Sequence, residues 1–208
     1  MNEALCSILC SEDEWLFDSD GKTIKFNKDG TGELSCRCNF SYWIFVEILW
    51  KNVKPPQDRS AFNPKGTNAA GQVLGQLDVE ITLTRELPQS ARRWAETHPD
   101  TAASMNRNLI DDAYKPKIFT ITVVKGNFVE PCWVGDRSMD RQRYSYRLLF
   151  DKSPYSPRSE WRKPEGGPDD GRFWEIVDFV GRASPDSAKR QNPMNDPSAS
   201  GWNSCIVS

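Results

Sequence analysis

Apolar and polar residues alternate with a period of two along much of this chain, and this constrains the fold more than any other feature. The alternation is clearest over residues 72–84, where Gly75 falls on the apolar face and marks a close contact or a bend. The residues predicted to face inward there are Val73, Leu77, Val79, Ile81 and Leu83. Such alternation is expected of an antiparallel sheet with one face in the core and one in water.

Several further strands follow the same pattern. Residues 28–32 read Lys-Asp-Gly-Thr-Gly between two alternating runs and predict a β-hairpin. Strands are also predicted up to residue 50, at 117–124 and at 144–150. At least six short antiparallel strands must close into a barrel or pack as a sandwich, and closure removes the exposed edges. We therefore predict a mainly β chain, an up-and-down β-barrel with long loops.

Short helices are predicted in the connections. Residues 88–98 have helical spacing that Pro99 ends, and a second short helix fits 101–112. The segment 173–180 fits either a helix ended by Gly181 or a last strand, and we favour the helix. Its helical face would consist of Phe173, Ile176, Val177 and Val180.

The last part of the chain reads as a tail. Residues 182–208 are rich in Ser, Pro, Asn and Asp, so they cannot bury enough apolar surface to fold, and the folded domain is expected over 1–181. The tail ends Cys-Ile-Val-Ser, a pattern that prenyltransferases recognise, and a terminal Ser selects farnesyl. We therefore expect a lipid on Cys205 and a peripheral association with a membrane.

Composition and charge exclude some classes of protein. The net charge of −2 and the absence of a basic stripe argue against a nucleic-acid partner. The N-terminus has no secretory signal, so a cytoplasmic protein is expected, with its six cysteines as reduced thiols. The spacings of Cys6 with Cys10 and of Cys36 with Cys38 are not a standard metal-ligand pairing, so neither metal nor cofactor is predicted. The sequence does not indicate an oligomeric state.

One family resemblance covers roughly the first fifty residues. Trp15, the run Ile24-x-Phe26-x-x-Asp29-Gly30-Thr31-Gly32 and the aromatic residues Phe40 and Trp43 resemble the start of lipocalin-like proteins of the calycin group. In that group a Trp on the first strand closes the barrel floor, and a DGTG-type hairpin joins the next two strands. The glycine usually found two residues before the Trp is replaced by Asp13. The resemblance implies an up-and-down β-barrel that holds an apolar small molecule, and a minority of such barrels cyclise or isomerise their ligand.

Aromatic residues on the predicted inward faces are the candidate ligand contacts. They line either a packed core or a cavity, and an apolar pocket with a few polar tips suits an apolar ligand. These candidates are Phe40, Tyr42, Trp50, Phe119, Tyr144 and Tyr146.

Catalytic candidates are few. His98 is the single histidine and is expected at a solvated helix end, which leaves no Ser-His-Asp or Cys-His system. Glu47, Tyr144 and Tyr146 are the groups that could move a proton. We therefore predict binding of a small apolar molecule, with a cofactor-independent cyclase or isomerase as the alternative. An interaction module that binds a protein through its long loops is a third possibility.

Overall fold

Eight antiparallel strands form one ring-like sheet. The computed structural model describes residues 2–38, 41–54, 71–135 and 141–184. Each strand pairs with the next in sequence, and Leu16 of the first strand pairs with Val180 of the last, so the strand order closes. The strands are β1 Trp15–Asp18, β2 Lys22–Phe26, β3 Thr31–Cys38, β4 Ser41–Val53, β5 Gly71–Leu83, β6 Lys117–Phe128, β7 Tyr144–Phe150 and β8 Asp178–Ala183. The mainly β, antiparallel prediction is confirmed.

Short helices lie before the sheet and in its connections. They are α1 Asn2–Leu9, α2 Gln89–Thr97, α3 Pro99–Ser104 and α4 Gly167–Gly171. Single 3₁₀ turns occur at Asp111–Tyr114, Pro131–Trp133, Arg158–Glu160 and Phe173–Glu175. The predicted helix over 88–98 is confirmed by α2. Among the helices that the structure describes, none combines the length and the hydropathy that a membrane span requires.

The predicted hairpin turn joins β2 to β3. The backbone N–H of Asn27 donates to the carbonyl of Thr31 at 2.8 Å, and Gly30 has a φ of +86°, a conformation that glycine adopts without strain. The Asp29 carboxylate accepts hydrogen bonds from the backbone N–H and the hydroxyl of Thr31. These bonds explain why the Asp-Gly-Thr-Gly sequence makes the turn.

The inside of the ring is the core of the molecule. Alternate side chains of every strand point into it, and many of them are fully buried, as Ile24, Leu34, Val46, Ile121 and Leu148 are. Full burial of an aliphatic or aromatic side chain contributes about 1.5–3 kcal/mol, so this interior dominates the stability.

Extra residues in four strands change which side chains face inward. The strand register shifts at Phe17 in β1, Trp43 in β4, Leu74 in β5 and residues 126–127 in β6. Because the side-chain period of a strand is two, one inserted residue moves its neighbours to the other face. The first three of these residues pack against the core.

Three inward predictions are wrong, and an inserted residue in the same strand accounts for the first two. Val73 lies outside and is 51% exposed, while Leu74 takes its place against the core. Tyr42 pairs with Arg37 on the outer face and is 37% exposed. Tyr144 is buried, but it packs in a small outer cluster with Val124, Phe128, Leu149 and Val180.

One end of the ring is closed by α1. The indole N–H of Trp15 donates to the carbonyl of Leu9 at 2.9 Å, and Leu5 lies against Gly75. A Cβ at Gly75 would come within 2.8 Å of Leu5 Cδ1, and φ there is +155°, so both a close contact and an unusual backbone are present. The prediction made for Gly75 is confirmed.

The segment that joins β7 to β8, residues 151–177, closes the other end, and the predicted helix over 173–180 is wrong. A 3₁₀ turn covers Phe173–Glu175, and β8 follows as a strand that pairs with both β7 and β1. Closure of the ring therefore overrides the helical periodicity. Gly181 does not end a helix but lets β8 pack on Trp15, since a Cβ there would lie 2.7 Å from Trp15 Cε3. β8 also extends to Ala183, two residues beyond the predicted domain end.

Candidate ligand-binding site

Aromatic rings fill the interior near the end that residues 151–177 close. Phe150 makes edge-to-face contacts with Phe119 at 6.1 Å and with Phe179 at 5.6 Å between ring centroids. All three are nearly inaccessible to solvent. Phe119, a predicted ligand residue, therefore does face the interior, in an aromatic environment that suits an apolar molecule.

Residues 151–177, the closing segment, add aromatic side chains of their own. Tyr155 is fully buried, and its hydroxyl donates to the backbone carbonyl of Ser35 at 2.7 Å. Its ring lies 6.2 Å from Phe179 and 6.4 Å from Phe173, and Trp161 lies 5.9 Å from Phe173. Burial raises the pKa of Tyr155 well above its ordinary value, so the phenol stays protonated and donates.

Besides these buried rings, hydrogen bonds rather than strand pairing hold the closing segment. Ser153 Oγ donates to the carbonyl of Phe173 at 2.9 Å and accepts from the N–H of Tyr155 at 3.2 Å. The indole N–H of Trp161 donates to Ser156 O at 3.0 Å. One isolated bridge, between Leu109 and Trp161, links the segment to the connection between β5 and β6.

Two buried donors at this end have no hydrogen-bond acceptor within the part of the chain that the structure describes. They are the indole Nε1 of Trp43 and the hydroxyl of Ser156. Gly167 packs directly on the Trp43 ring, since a Cβ there would overlap it at 2.1 Å, and Ser156 belongs to the closing segment itself. A buried donor left unsatisfied costs about 1–3 kcal/mol, and native structures rarely leave one without a protein, water or ligand partner.

An ion pair lies near the same end. Lys22 Nζ lies 2.5 Å from Asp18, and both side chains are largely buried. Burial works against the charge of Lys22, but the hydrogen bond and charge of Asp18 outweigh it and raise the pKa of Lys22. Burial raises the pKa of the neighbouring Cys36 well above its ordinary value, which makes it a neutral thiol rather than a nucleophile.

Within residues 2–38, 41–54, 71–135 and 141–184, no three His, Cys, Asp or Glu side chains group as metal ligands would.

The other predicted ligand contacts are not brought together here. Trp50 packs edge-to-face on Phe26 at 5.4 Å, and its indole N–H donates to Asn27, at the hairpin turn. Tyr146 lies under the guanidinium of Arg182. Tyr42 stacks outside the ring, and Phe40 falls outside the described residues. Their ligand contacts stay predictions.

The three proton-transfer candidates lie apart. Glu47 is on the outer face of β4 and pairs with Arg92 at 3.2 Å. The hydroxyl of Tyr146 accepts from Arg182 at 3.3 Å. The hydroxyl of Tyr144 donates to Glu130 Oε1 at 3.0 Å, outside the ring. They do not converge on one place, so the described geometry offers no acid–base pair from this set. His98 is exposed and stacks on Trp94, as the prediction of a solvated helix end required.

Sequence reasoning missed Glu130 and the aromatic residues of the closing segment. Glu130 is 7% exposed, and its carboxylate accepts the backbone N–H of Ser19 at 3.1 Å as well as the Tyr144 hydroxyl. Burial and this negative charge raise the pKa of Tyr144. Nothing periodic marks Glu130. Tyr155, Trp161 and Phe173 did carry a signal, because aromatic residues in a Pro-rich connection are the ones that need a core to pack against.

A polar groove runs along the outer face beside α2. It has two adjoining parts of about 380 and 240 Å³, which share Lys25, Glu33 and Ser90. Burial and the nearby charge of Glu33 raise the pKa of Glu14 in the smaller part. The larger part is lined mainly by polar and charged groups and does not suit an apolar ligand, whereas Tyr42 and Phe45 contribute to the smaller part.

Comparison of the chain with protein-family models, with curated proteins and with solved structures finds no match.

Proposed function

We propose that this chain is a lipocalin-like, up-and-down β-barrel that binds a small apolar molecule in its aromatic interior. The ligand enters at the end that residues 151–177 close, so the closing segment has to move aside. A lipid on Cys205 then holds the protein on the cytosolic face of a membrane. The proposal is for binding rather than catalysis, because the candidate proton-transfer groups lie apart.

The two buried donors that have no acceptor among the described residues are the observation that carries this proposal. Both atoms are at the closed end, where Trp43 Nε1 lies against Gly167 of the closing segment and Ser156 directly follows the buried Tyr155. A ligand that is apolar except for one hydrogen-bond acceptor would satisfy such donors while its body packs among the rings. The ligand class follows from this chemistry as an apolar molecule with a carbonyl, ether or hydroxyl oxygen.

The irregular structure of the closing segment supports entry at this end. The segment lies between two strands but pairs with neither over most of its length. Buried aromatic side chains, side-chain hydrogen bonds and two backbone hydrogen bonds to residues 108–110 hold it. Regions of this kind open locally at a lower free energy than strands within a sheet. The apparent affinity of a site that is closed most of the time equals the affinity of its open form multiplied by the fraction that is open.

Binding of an apolar fluorescent probe, N-phenyl-1-naphthylamine, tests the site. Tyr155→Phe removes the hydrogen bond to Ser35 but keeps the ring, so it favours opening. A typical net hydrogen bond contributes about 1 kcal/mol, so we expect about fivefold tighter probe binding. Tyr42→Phe makes the same chemical change outside the ring and should bind the probe as the unaltered protein does. Equal affinities for all three proteins would contradict entry at this end.

Identification of a natural ligand is the direct test. Native mass spectrometry of protein purified from a eukaryotic host should show an added mass that organic extraction removes. A protein that carries no such mass and binds no apolar probe would defeat the proposal. The intact mass in the same experiment reports whether Cys205 carries a farnesyl group.

A further inference from the structure

The turn between β6 and β7 exposes three consecutive residues of low polarity. Cys132 is exposed, Trp133 is 37% exposed and Val134 is 69% exposed. Single exposed apolar residues are ordinary on a protein surface, whereas a run of three is unusual unless it has a function. We refer to residues 130–135 as the Trp133 turn.

Hydrogen bonds hold the backbone of the Trp133 turn. The N–H of Trp133 donates to Glu130 O at 2.9 Å, and the N–H of Val134 donates to Pro131 O at 3.2 Å. The buried Glu130 carboxylate fixes the base of the turn through Ser19 and Tyr144. Because these bonds hold the backbone of the turn, binding through it has less backbone entropy to remove.

The chemistry of the turn suits the interface of a lipid bilayer. The guanidinium of Arg141 lies over the Trp133 ring at 3.7 Å from its centroid, and Arg143 is exposed two residues later. Indole rings are enriched at the headgroup level of membranes, and guanidinium groups bind phosphates. Partial burial and the charge of Glu130 raise the pKa of Cys132 to about 12, so its thiol adds no charge.

The chain leaves the sheet toward Cys205 next to this turn. The N–H of Ser184 donates to Arg143 O at 2.7 Å, and Gln142 Nε2 donates to Ser184 O at 3.3 Å. Arg143 and Gln142 directly follow Arg141, which covers Trp133. Cys205 lies 21 residues beyond Ser184, and one residue spans at most about 3.3–3.6 Å, so a lipid on Cys205 and the turn can reach the same bilayer.

We propose that Trp133 and Val134 insert into the interface of the bilayer that holds the proposed lipid on Cys205. This inference rests on the membrane association in the proposed function and adds the second contact that such an association requires. A single lipid chain gives only weak, reversible membrane binding, and two signals together give stable anchoring.

The test measures sedimentation of the full chain with vesicles of phosphatidylcholine and phosphatidylserine, with farnesyl attached to Cys205 by semisynthesis. Trp133→Ala should lower the partition coefficient about tenfold, since it removes part of the burial of one aromatic side chain. The matched control is Trp94→Ala, because Trp94 on α2 is 38% exposed, almost the same as Trp133. The control should partition as the unaltered chain does.

A second variant separates a loss of membrane binding from a loss of folding. Val134→Asp places a charge at the most exposed position of the turn and should also lower partition, with an unchanged melting temperature. Equal partition of Trp133→Ala and the unaltered chain, or an equal loss in Trp94→Ala, overturns the inference. Because the farnesyl group is supplied by synthesis, this result is independent of whether cells modify Cys205, which the intact mass from a eukaryotic host decides separately.

Discussion

The two ends of the ring are closed in physically different ways. At one end α1 lies directly before β1 in sequence, and Leu5, Leu9 and Trp15 close it with apolar contacts and one indole hydrogen bond. At the other end residues 151–177 also bury aromatic rings, but with irregular backbone, several side-chain hydrogen bonds and two donors that have no acceptor among the described residues. The described part of the first end is apolar core. The second has the features of a site that opens.

The largest effect is expected at the α1 end. Trp15 is fully buried and contacts both Leu9 and Gly181, so Trp15→Ala should lower the free energy of unfolding by about 3–5 kcal/mol. Urea denaturation measures this, with the exposed Trp94→Ala as control, expected within about 0.5 kcal/mol of the unaltered protein. A similar loss in both variants would mean that Trp15 does not organise this end.

A smaller loss is expected from an equally buried residue at the other end. Phe173→Ala leaves a cavity among Tyr155 and Trp161. On the proposed opening, the closing segment detaches before the strands unfold. We expect a loss of about 1–3 kcal/mol, with faster amide hydrogen exchange confined to residues 151–177. Exchange that accelerates equally in β2 to β6 would show that both ends form one cooperative unit, and the comparison would fail.

Much of the sheet could be predicted from sequence because the alternation was local. The β2–β3 hairpin and α2 each depend on signals within a dozen residues, and both are present. The outward positions of Tyr42 and Val73 could not be predicted, because the inserted residues Trp43 and Leu74 reverse the parity. Gly75 beside Leu74 indicates a bend but not which residue is inserted. The position of a bulge depends on how the whole ring curves and not only on the residues of the bulge itself.

The helix predicted over residues 173–180 failed for a related reason. Phe173, Ile176 and Val180 do have helical spacing, but β8 is the strand that connects β7 with β1. β8 is stabilised by pairing with strands that are distant in sequence, so a short window of the sequence does not reveal this stabilisation. This limit affected the candidate site most. Tyr155 and Phe173 lie in the irregular segment, whereas the periodic pattern predicted site residues on the strands.

Two serines of the closing segment sharpen the comparison further. The Ser153 hydroxyl makes two hydrogen bonds, whereas the hydroxyl of Ser156, which is also buried, has none among the described residues. Ser153→Ala should therefore cost about 1 kcal/mol, and Ser156→Ala should leave the free protein unchanged or stabilise it by up to about 1 kcal/mol. Ser156→Ala should in contrast weaken ligand binding. Melting temperatures with and without ligand measure both effects, and equal destabilisation by the two variants would mean that Ser156 has a partner after all.

The smallest effect concerns pH at the closing end. Asp178 begins β8 and pairs with Arg147 through both carboxylate oxygens, yet burial outweighs this pairing and raises the pKa of Asp178. The folded state then binds a proton more tightly than the unfolded state. As pH rises from about 4, the ordinary pKa of Asp, through the raised folded value, the contribution of Asp178 to stability must therefore fall.

The variant Asp178→Asn tests this, because its side chain does not titrate. The unfolding free energy of the unaltered protein minus that of the variant should fall with rising pH over this range. Urea denaturation between pH 3.5 and 7 measures that difference, about 1 kcal/mol or less in change. A difference that grows with pH would mean that Arg147 stabilises the carboxylate more than burial destabilises it. The charge of Asp178 would then stabilise this end of the ring.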